Sequence, residues 1–360
     1  MTPAEFQQRR RRLVAEFPRR KLHALLLTHP PNVRYLSGFT GSNGALLVDP
    51  AGAILFTDPR YRLQAAQESA CPVRVARGWL LAAALKVARR RKLRRIGFEA
   101  AHFTCQAFEA LKESLYLAAS LEPASGLVEA LRMVKSPPEV ALIRRSVLAT
   151  SEAFQRAMAQ ARPGMREREL AAELEYQMRL LGADQPAFET IVTSGVRTAL
   201  PHARSSDRPV ARNRLLLIDM GASLEGYSSD MTRMAFFGRP GKPLRQLYRA
   251  VLEAQLAALA AVRPGVSAAH VDRQARRVLR AHNLDKAFAH STGHGLGLEI
   301  HEPPRLGRGD KTRLLPGMVF TVEPGAYLEG FGGVRIEDTV VVTPTGCEVL
   351  TPTPKELLLL

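Results

Sequence analysis

The segment from Phe288 to Glu302 contains three of the nine histidines in the chain, interleaved with three glycines. These residues are His290, Gly293, His294, Gly295, Gly297 and His301. Glycines at alternate positions remove side-chain bulk and let another backbone approach closely. A cluster of imidazoles in so open a backbone indicates a functional site rather than a hydrophobic core.

Four carboxylates lie in or beside apolar segments that read as strands, and they are the natural partners for these histidines. They are Asp219, Asp230, Glu323 and Glu337. A single carboxylate in an apolar strand is usually a structural acid in an ion pair. Four such carboxylates need more positive charge than Arg335 alone supplies, and divalent metal would provide it.

Four carboxylates and one imidazole are a suitable ligand set for two metal ions that share bridging carboxylates. An oxygen-rich set favours manganese or cobalt over thiolate-bound zinc, although zinc also remains compatible with it. From spacing alone, a dinuclear site and a set of structural acids both remain open.

Other catalytic motifs are missing from the chain. His301-Glu302 resembles the start of a helical zinc-binding HExxH motif, but Pro303-Pro304 forbids the continuing helix. No GxSxG nucleophile elbow occurs, and the glycines around His294 do not form a dinucleotide-binding fingerprint.

The composition predicts a cytoplasmic protein with a substantial core. The chain has 360 residues and 46% hydrophobic residues, without an apolar run of about 18 residues or a secretory signal. Its three cysteines, Cys71, Cys105 and Cys347, have neither disulfide nor zinc-ribbon spacing, which fits a reducing compartment.

The formal net charge of +17 raises the possibility of a polyanionic partner. However, aromatic residues make up only 6% of the chain and do not interleave with the basic runs, as they would on a surface that binds single strands. A solvated basic surface is therefore favoured over nucleic-acid binding.

Two domains are expected to position these residues. Strands and helices alternate in residues 1–133, which predicts a small α/β domain with a glycine-punctuated loop over Tyr35–Gly44. Ser136-Pro137-Pro138-Glu139 has the composition of a helix start. Residues 134–360 then predict an α+β domain built on an antiparallel sheet, with a turn over Gly221–Gly226 that brings Asp219 and Asp230 onto neighbouring strands.

Five motifs in this order resemble the catalytic domain of the pita-bread metallopeptidases, and more narrowly the Xaa-Pro peptidases aminopeptidase P and prolidase. They are SGVRTALPHA, LIDMGASLEGYSSDMTR, HSTGHGLGLEIHEPP, VFTVEPGAY and GGVRIEDTVVV. PNVRYLSGFTGSNGALLV and LFTDPRYRLQA resemble the creatinase-like N-terminal domain of the same enzymes. The resemblance covers nearly the whole chain and implies hydrolysis of the Xaa-Pro bond at the N-terminus of short peptides.

Residue by residue, the resemblance implies five metal ligands for two divalent ions, of which manganese is expected and cobalt or zinc is possible. They are Asp219, Asp230, His294, Glu323 and Glu337, with Asp230 and Glu337 bridging. Glu323 would also be the general base for a water activated by both metals. Catalytic or substrate-binding roles would fall to His202, His290, His301, Arg305, Tyr327 and Arg335.

The resemblance leaves three questions open. Arg305 would hold the carboxylate of a dipeptide in a prolidase, but it could equally be a surface residue in an aminopeptidase. A homodimer or higher homo-oligomer is expected, in which the segment near His29–Tyr35 or the one near Gly38–Gly44 would reach a neighbouring subunit's site. Some pita-bread proteins have lost catalysis and bind proteins or nucleic acid instead, and this alternative would explain the basic charge.

Overall fold

The computed structural model describes all residues from 1 to 360, which divide into two compact units, Met1–Arg132 and Met133–Leu360. The first is an α/β unit and the second an α+β unit, so the predicted fold class is confirmed. None of the helices combines the length and the apolar composition that a bilayer crossing needs.

The first unit contains a mixed six-stranded sheet with helices packed against it. In spatial order its strands are Val73–Val75, Gly52–Thr57, Gly44–Asp49, Ala24–Leu27, Arg95–Phe98 and Ser120–Pro123. Its α-helices are Pro3–Ala15, Phe17–Arg20, Pro30–Ser37, Arg62–Glu68, Leu80–Arg90, Cys105–Glu113 and Leu127–Arg132, with a 3₁₀ turn at Pro59–Tyr61.

The centre of this sheet is fully apolar because both of its faces are covered. Every residue of Ala24–Leu27 is buried, between the antiparallel strand Gly44–Asp49 and the parallel strand Arg95–Phe98. Helix Leu80–Arg90 contributes residues at helical spacing, among them Leu81 and Leu85, to the same core.

The loop predicted over Tyr35–Gly44 is wrong at its beginning. Residues Pro30–Ser37 form a helix, and the chain leaves it at Gly38, whose φ is 85°. Proline ends the preceding strand as expected, but in the first turn of a helix the missing amide costs nothing and the fixed φ favours helix. The glycine-punctuated loop therefore starts only after Ser37.

The second unit is built from four small sheets and four long helices. The sheets, in spatial order, are Leu358–Leu359, Met231–Phe236, Leu215–Met220, Ile191–Ser194; then Tyr227–Ser228, Ala222–Leu224, Gln185–Pro186; then Glu302–Leu306, Gly293–Gly295, Val319–Val322, Asp338–Val342, Cys347–Val349; and the hairpin Gly325–Leu328, Gly332–Arg335. The helices are Pro137–Gln160, Glu167–Leu180, Lys242–Ala261 and Ala268–Ala281, and 3₁₀ turns occur at Gly195–Ala199 and Asp285–Ala287.

The first helix of this unit begins where the sequence predicts it. The amide and hydroxyl of Ser136 both donate to the Glu139 carboxylate, at 2.9 and 3.0 Å, with Pro137 in the first turn. These bonds fix the helix start, and the buried side chains Ile143 and Val147 then pack with the sheet residues Val319 and Val341.

The turn predicted over Gly221–Gly226 is narrower than expected. Ala222–Leu224 is a strand, and the turn itself consists of Glu225 and Gly226, with φ of 47° and 71°. Two successive left-handed residues match the twist of a two-residue hairpin. Strand Met231–Phe236 then returns antiparallel to Leu215–Met220, with Thr232 opposite Asp219.

Arg233 is the largest fully buried side chain of the protein, and it joins three segments of the second unit. Its guanidinium lies 2.7 Å from the Asp338 carboxylate and donates to the carbonyl oxygens of Thr353 and Pro354, at 2.6 and 2.8 Å. Strand Leu358–Leu359, which follows these carbonyls, pairs in parallel with the strand that carries Arg233. Arg233 therefore stabilises the sheet whose strand Met231–Phe236 begins directly after Asp230.

Replacing Arg233 with Met should lower the free energy of unfolding by about 3–5 kcal/mol, because several buried carbonyls lose their donor and the Asp338 carboxylate keeps only Gln255 and Lys355 as partners. Urea titration followed by circular dichroism would measure this. Arg249→Met is the control, since Arg249 is exposed and its pair with Glu253 is an exposed helical one. It should change stability by less than about 0.5 kcal/mol. Equal losses in both variants would contradict this role of Arg233.

Candidate metal centre and active site

A cavity of about 810 Å³ in the second unit brings together most of the predicted site residues. It is lined by His202, Asp219, Asp230, His290, His294, His301, Arg305, Glu323, Arg335 and Glu337, together with Phe188, Ile191 and Ile300 among others. Tyr327 is the one predicted site residue that does not line the cavity.

The acids reach this cavity because each lies at or near the end of a strand. Asp219 is the penultimate residue of Leu215–Met220, and Asp230 precedes Met231–Phe236. Glu323 follows Val319–Val322, and Glu337 lies between two consecutive strands. Apolar residues thus form the strands, and the chain places a carboxylate where each strand meets the cavity.

The glycines beside His294 are required by close backbone contacts. A Cβ atom on Gly293 would lie 1.9 Å from the carbonyl oxygen of Thr321, and one on Gly295 would lie 2.3 Å from that of Pro303. Neighbouring strands therefore approach on both sides of His294, which confirms the interpretation of the alternating glycines.

His294 is oriented toward the carboxylates. Its Nδ1 lies 3.1 Å from the carbonyl oxygen of Gly295, to which it can donate, so Nε2 is the free ligand atom. Nε2 lies 3.5 Å from Asp230 and 3.4 Å from Glu323. Ligand atoms of Asp230, His294 and Glu337 all lie within 4.8 Å of one another.

The close packing of these groups shifts the pKa values of Asp219, Asp230, His294 and Glu337. Burial raises the pKa of Asp230 to about 7, against the opposing hydrogen bond from His294. Burial also raises the pKa values of Asp219 and Glu337, and the neighbouring acids add to the effect. Burial lowers the pKa of His294, but its hydrogen bond with Asp230 and the charge of Glu323 outweigh this and raise it to about 9.

The donor set fits divalent cations. Asp219 has a buried carboxylate oxygen, Oδ1, without any hydrogen-bond partner, and such atoms are costly unless an ion or water satisfies them. Four carboxylates converge on a cavity wall that contains one arginine in contact with them. Hard oxygen ligands with one imidazole can hold Mn²⁺ or a similar ion.

Arg335 is buried and connects this cluster to the surrounding chain. Its guanidinium donates to Asp219 at 2.5 Å, to the Thr232 hydroxyl at 3.0 Å and to the Pro201 carbonyl at 3.3 Å. Thr232 in turn donates to Glu337 at 2.6 Å. One side chain thereby fixes two of the acids and the residue before His202.

Tyr327 lies outside the cavity wall, but its hydroxyl contacts two residues of that wall, Arg335 and His290. Its hydroxyl receives a hydrogen bond from Arg335 at 2.8 Å and lies 2.9 Å from Nε2 of His290. Nδ1 of His290 lies 2.8 Å from the carbonyl oxygen of Ser291. Both ring nitrogens of His290 are thus occupied, whereas the exposed His202 has no such bonds.

His301 and His202 line the open side of the cavity. The His301 ring lies edge-on to that of His294, with centroids 4.4 Å apart. Burial and the positive charge of His294 lower the pKa of His301, so its ring is neutral at pH 7. A neutral imidazole can donate one hydrogen bond to a substrate carbonyl.

Glu167 is a further residue that shapes the site, and its only signal in the sequence is an acid in the first turn of a helix. Its buried carboxylate accepts bonds from the amides of Ser194 and Ser206, at 2.8 and 3.1 Å, and from both of their hydroxyls. Arg197 also pairs with it. These contacts close both ends of the segment that carries His202.

Asp272 has a similar role for the histidine segment. The fully buried carboxylate accepts from the Thr292 hydroxyl and from Arg276, each at 2.8 Å. Arg276 then donates to the carbonyl oxygens of Phe288 and His290, at 3.1 and 2.5 Å. One helical turn of Ala268–Ala281 therefore fixes the backbone that leads to His294.

A buried ion pair supports the third histidine. Lys135 lies 3.1 Å from Glu302, and both side chains are almost completely buried. The Glu302 carboxylate also accepts from the Glu299 amide at 3.1 Å. The loop that carries His301 is therefore held at its following residue.

Comparison with known proteins connects this geometry to described families. The model of metallopeptidase family M24 matches residues 141–344, and the creatinase/prolidase N-terminal domain matches residues 9–134. The first match alone covers more than half of the chain.

Several proteins are similar along almost their whole length. An Xaa-Pro dipeptidase from Pyrococcus furiosus is 36% identical over 98% of this chain and 100% of its own. The solved structure of an Xaa-Pro dipeptidase from Bacillus anthracis has a TM-score of 0.96, with 37% identity over 99% of this chain and 100% of that one. An X-Pro aminopeptidase from Thermotoga maritima has a TM-score of 0.91, with 36% identity over 98% and 100%.

Replacing Glu167 with Ala should make the amides of Ser194 and Ser206 exchange with solvent about tenfold faster or more, because both lose a buried acceptor. Hydrogen exchange followed by mass spectrometry would measure this over residues 194–206. Glu175→Ala, on the same helix but without these bonds, is the control and should leave that segment unchanged. Unchanged protection in the Glu167 variant would show that other contacts hold the segment.

Proposed function

The chain belongs to metallopeptidase family M24, and we propose that it is a metal-dependent exopeptidase that hydrolyses the Xaa-Pro bond at the N-terminus of short peptides. The observation that carries this proposal is the convergence of four carboxylates and His294 on one cavity whose open side holds His202 and His301. The full-length similarity to Xaa-Pro dipeptidases supports the substrate class.

Two divalent ions would be held by the five clustered side chains, with Asp230 and Glu337 shared between them. These side chains are Asp219, Asp230, His294, Glu323 and Glu337. The oxygen-rich donor set supports manganese, with cobalt or zinc as alternatives. When bound, such a pair lowers the pKa of a water and polarises the substrate carbonyl.

The side chains of the protein would carry out the proton transfer, bind the substrate carbonyl and position the acids. Glu323 would accept the proton of the attacking water, since its carboxylate lies at the cavity and is oriented by the Thr321 hydroxyl at 3.1 Å. His202 and His301 would donate hydrogen bonds to the carbonyl oxygen as negative charge develops there. Arg335 would favour the ionised form of Asp219, against the effect of burial on its pKa, and hold it in place.

The position of Arg305 supports a role for this residue in recognising the C-terminal carboxylate of the substrate. It is exposed, lines the cavity and has no carboxylate within 4.0 Å of its guanidinium. A dipeptide bound with its carbonyl at the metal cluster could place its own carboxylate there, as a dipeptidase requires. The same arginine would not prevent a longer peptide from binding.

We further propose that the protein acts in the cytoplasm as a homodimer or a higher homo-oligomer. Three scattered free cysteines support a reducing compartment. The resemblance of both domains to Xaa-Pro peptidases supports the assembly, with residues 29–35 or the loop after Ser37 as the segment that would reach a neighbouring subunit.

Protein reloaded with Mn²⁺ should hydrolyse Ala-Pro, Ala-Pro-Ala or both, as measured by release of alanine. Cleavage of the dipeptide alone would identify a dipeptidase in which Arg305 binds the substrate carboxylate. Preference for the tripeptide would identify an aminopeptidase. Replacing Glu323 with Gln should lower kcat about 10²–10⁴-fold, because the general base is lost. Glu329→Gln, an exposed acid nearby, is the control. No cleavage with manganese, cobalt or zinc would favour a binding module that has lost catalysis.

Mn²⁺ should bind more tightly as the pH rises from 6 to 8. The metal-free cluster holds protons on Asp230, with a pKa of about 7, and on His294, with a pKa of about 9. Binding must displace these protons, so the Kd should fall by about tenfold or more per pH unit. Isothermal titration calorimetry in two buffers of different ionisation enthalpy would measure both the Kd and the protons released. A constant Kd across this range would exclude these two residues as ligands.

A further inference from the structure

A second cavity of about 720 Å³ adjoins the catalytic one. The two cavities share four wall residues, which are His290, Ser291, Arg305 and Asp310. The remaining wall of the second cavity is formed by Arg276, Asp285, Lys286, Phe288, Arg308 and small residues. We refer to it below as the basic cavity.

Three cations in the basic cavity are available to a ligand. Lys286, Arg305 and Arg308 are exposed, and none of them has a carboxylate within 4.0 Å. The fourth cation, Arg276, is already occupied by Asp272 and by backbone carbonyls. The pair of Arg276 and Asp272 is neutral as a unit and adds no charge to the cavity.

Two acids in the same wall do not cancel this charge. Asp310 accepts hydrogen bonds from the amides of Arg305 and Thr312, at 3.2 and 2.8 Å, so its oxygens face the backbone. Asp285 lies in the short 3₁₀ turn beside Lys286 without forming an ion pair with it. The three unpaired cations outnumber the two acids, so the wall of the cavity carries a net positive charge.

The shared wall determines which part of a substrate meets this charge. A peptide with its scissile carbonyl at the metal cluster extends past Arg305 if its C-terminal side continues beyond the proline. Because Arg305 belongs to both cavities, a peptide that passes it would bring the residues after the proline into the basic cavity. Each extended residue adds about 3.3–3.6 Å, so the first or second residue after the proline would come toward Lys286 and Arg308.

We propose that the basic cavity is a subsite for an acidic residue one or two positions after the proline. This inference rests on the proposed peptidase function and narrows its substrates to peptides of the Xaa-Pro-Glu or Xaa-Pro-Asp type. Exposed charge pairs are individually weak, so the subsite tunes preference among peptides rather than deciding whether they are cleaved.

The test compares kcat/KM for Ala-Pro-Glu-NH₂, Ala-Pro-Gln-NH₂ and Ala-Pro-Lys-NH₂ with the manganese-loaded protein. Amidation removes the terminal carboxylate, so that only the side-chain charge differs. The Glu peptide should exceed the Gln peptide by about threefold to tenfold, and the Lys peptide should be the poorest. This preference should shrink as salt is raised from about 0.05 to 0.5 M, because screening acts on exposed charges.

The double variant Lys286→Ala/Arg308→Ala should bring the ratio of Glu to Gln peptide close to one. The matched control, Arg89→Ala/Arg90→Ala, removes two exposed positive charges from the first unit and should keep the original ratio. This control variant distinguishes a local subsite from the general attraction between acidic peptides and a protein with a net charge of +17.

Three outcomes would overturn the proposal. Equal rates for the Glu and Gln peptides would remove the subsite while leaving the peptidase function intact. A preference that survives in the Lys286/Arg308 variant, or disappears in the control, would assign it to the overall charge instead. Failure to cleave any of the three peptides would overturn the subsite but leave an Xaa-Pro dipeptidase if Ala-Pro is still hydrolysed, and failure on Ala-Pro as well would overturn the peptidase function.

Discussion

Four carboxylates converge in one cavity wall, where Arg335 is the only guanidinium in contact with them, and this imbalance of charge governs the second unit. Arg335 reaches Asp219 directly and Glu337 through the Thr232 hydroxyl, yet one cation cannot neutralise four acids. In the metal-free protein, the excess is relieved by protons held on Asp230 and His294. The site is therefore built for additional positive charge, which divalent cations supply in metallopeptidases.

The surrounding structure keeps this unfavourable cluster from relaxing. Asp272 and Arg276 fix the backbone before His294, Glu167 fixes both ends of the segment with His202, and the Lys135–Glu302 pair fixes the loop with His301. Each of these contacts centres on a buried carboxylate that accepts hydrogen bonds or an ion pair from its surroundings. Such groups are destabilising when incomplete, so each one couples the position of a histidine to the integrity of the fold.

The sequence was sufficient for the fold class, because strand patterns and motif order carry that information directly, and the acids and histidine that it singled out line one cavity. It was insufficient where local and tertiary effects compete. The helix Pro30–Ser37 was missed because two prolines end a strand and begin a helix equally well. Glu167 and Asp272 were not identified because an acid early in a helix looks like an ordinary surface charge until its tertiary partners are known. Tyr327 was expected at the pocket, but its hydroxyl is directed to Arg335 and His290.

The parallel pairing of Leu358–Leu359 with Met231–Phe236 has a consequence for the order of folding. The strand that follows Asp230 obtains this neighbour only from a segment about 120 positions later in the chain, and contacts of such separation form slowly. During synthesis, Asp219 and Asp230 emerge long before Glu323, Glu337 and the strand that completes their sheet. The acidic cluster is therefore among the last parts of the molecule to assemble, and until then the nascent chain keeps the two aspartates of the local hairpin apart from Glu323 and Glu337.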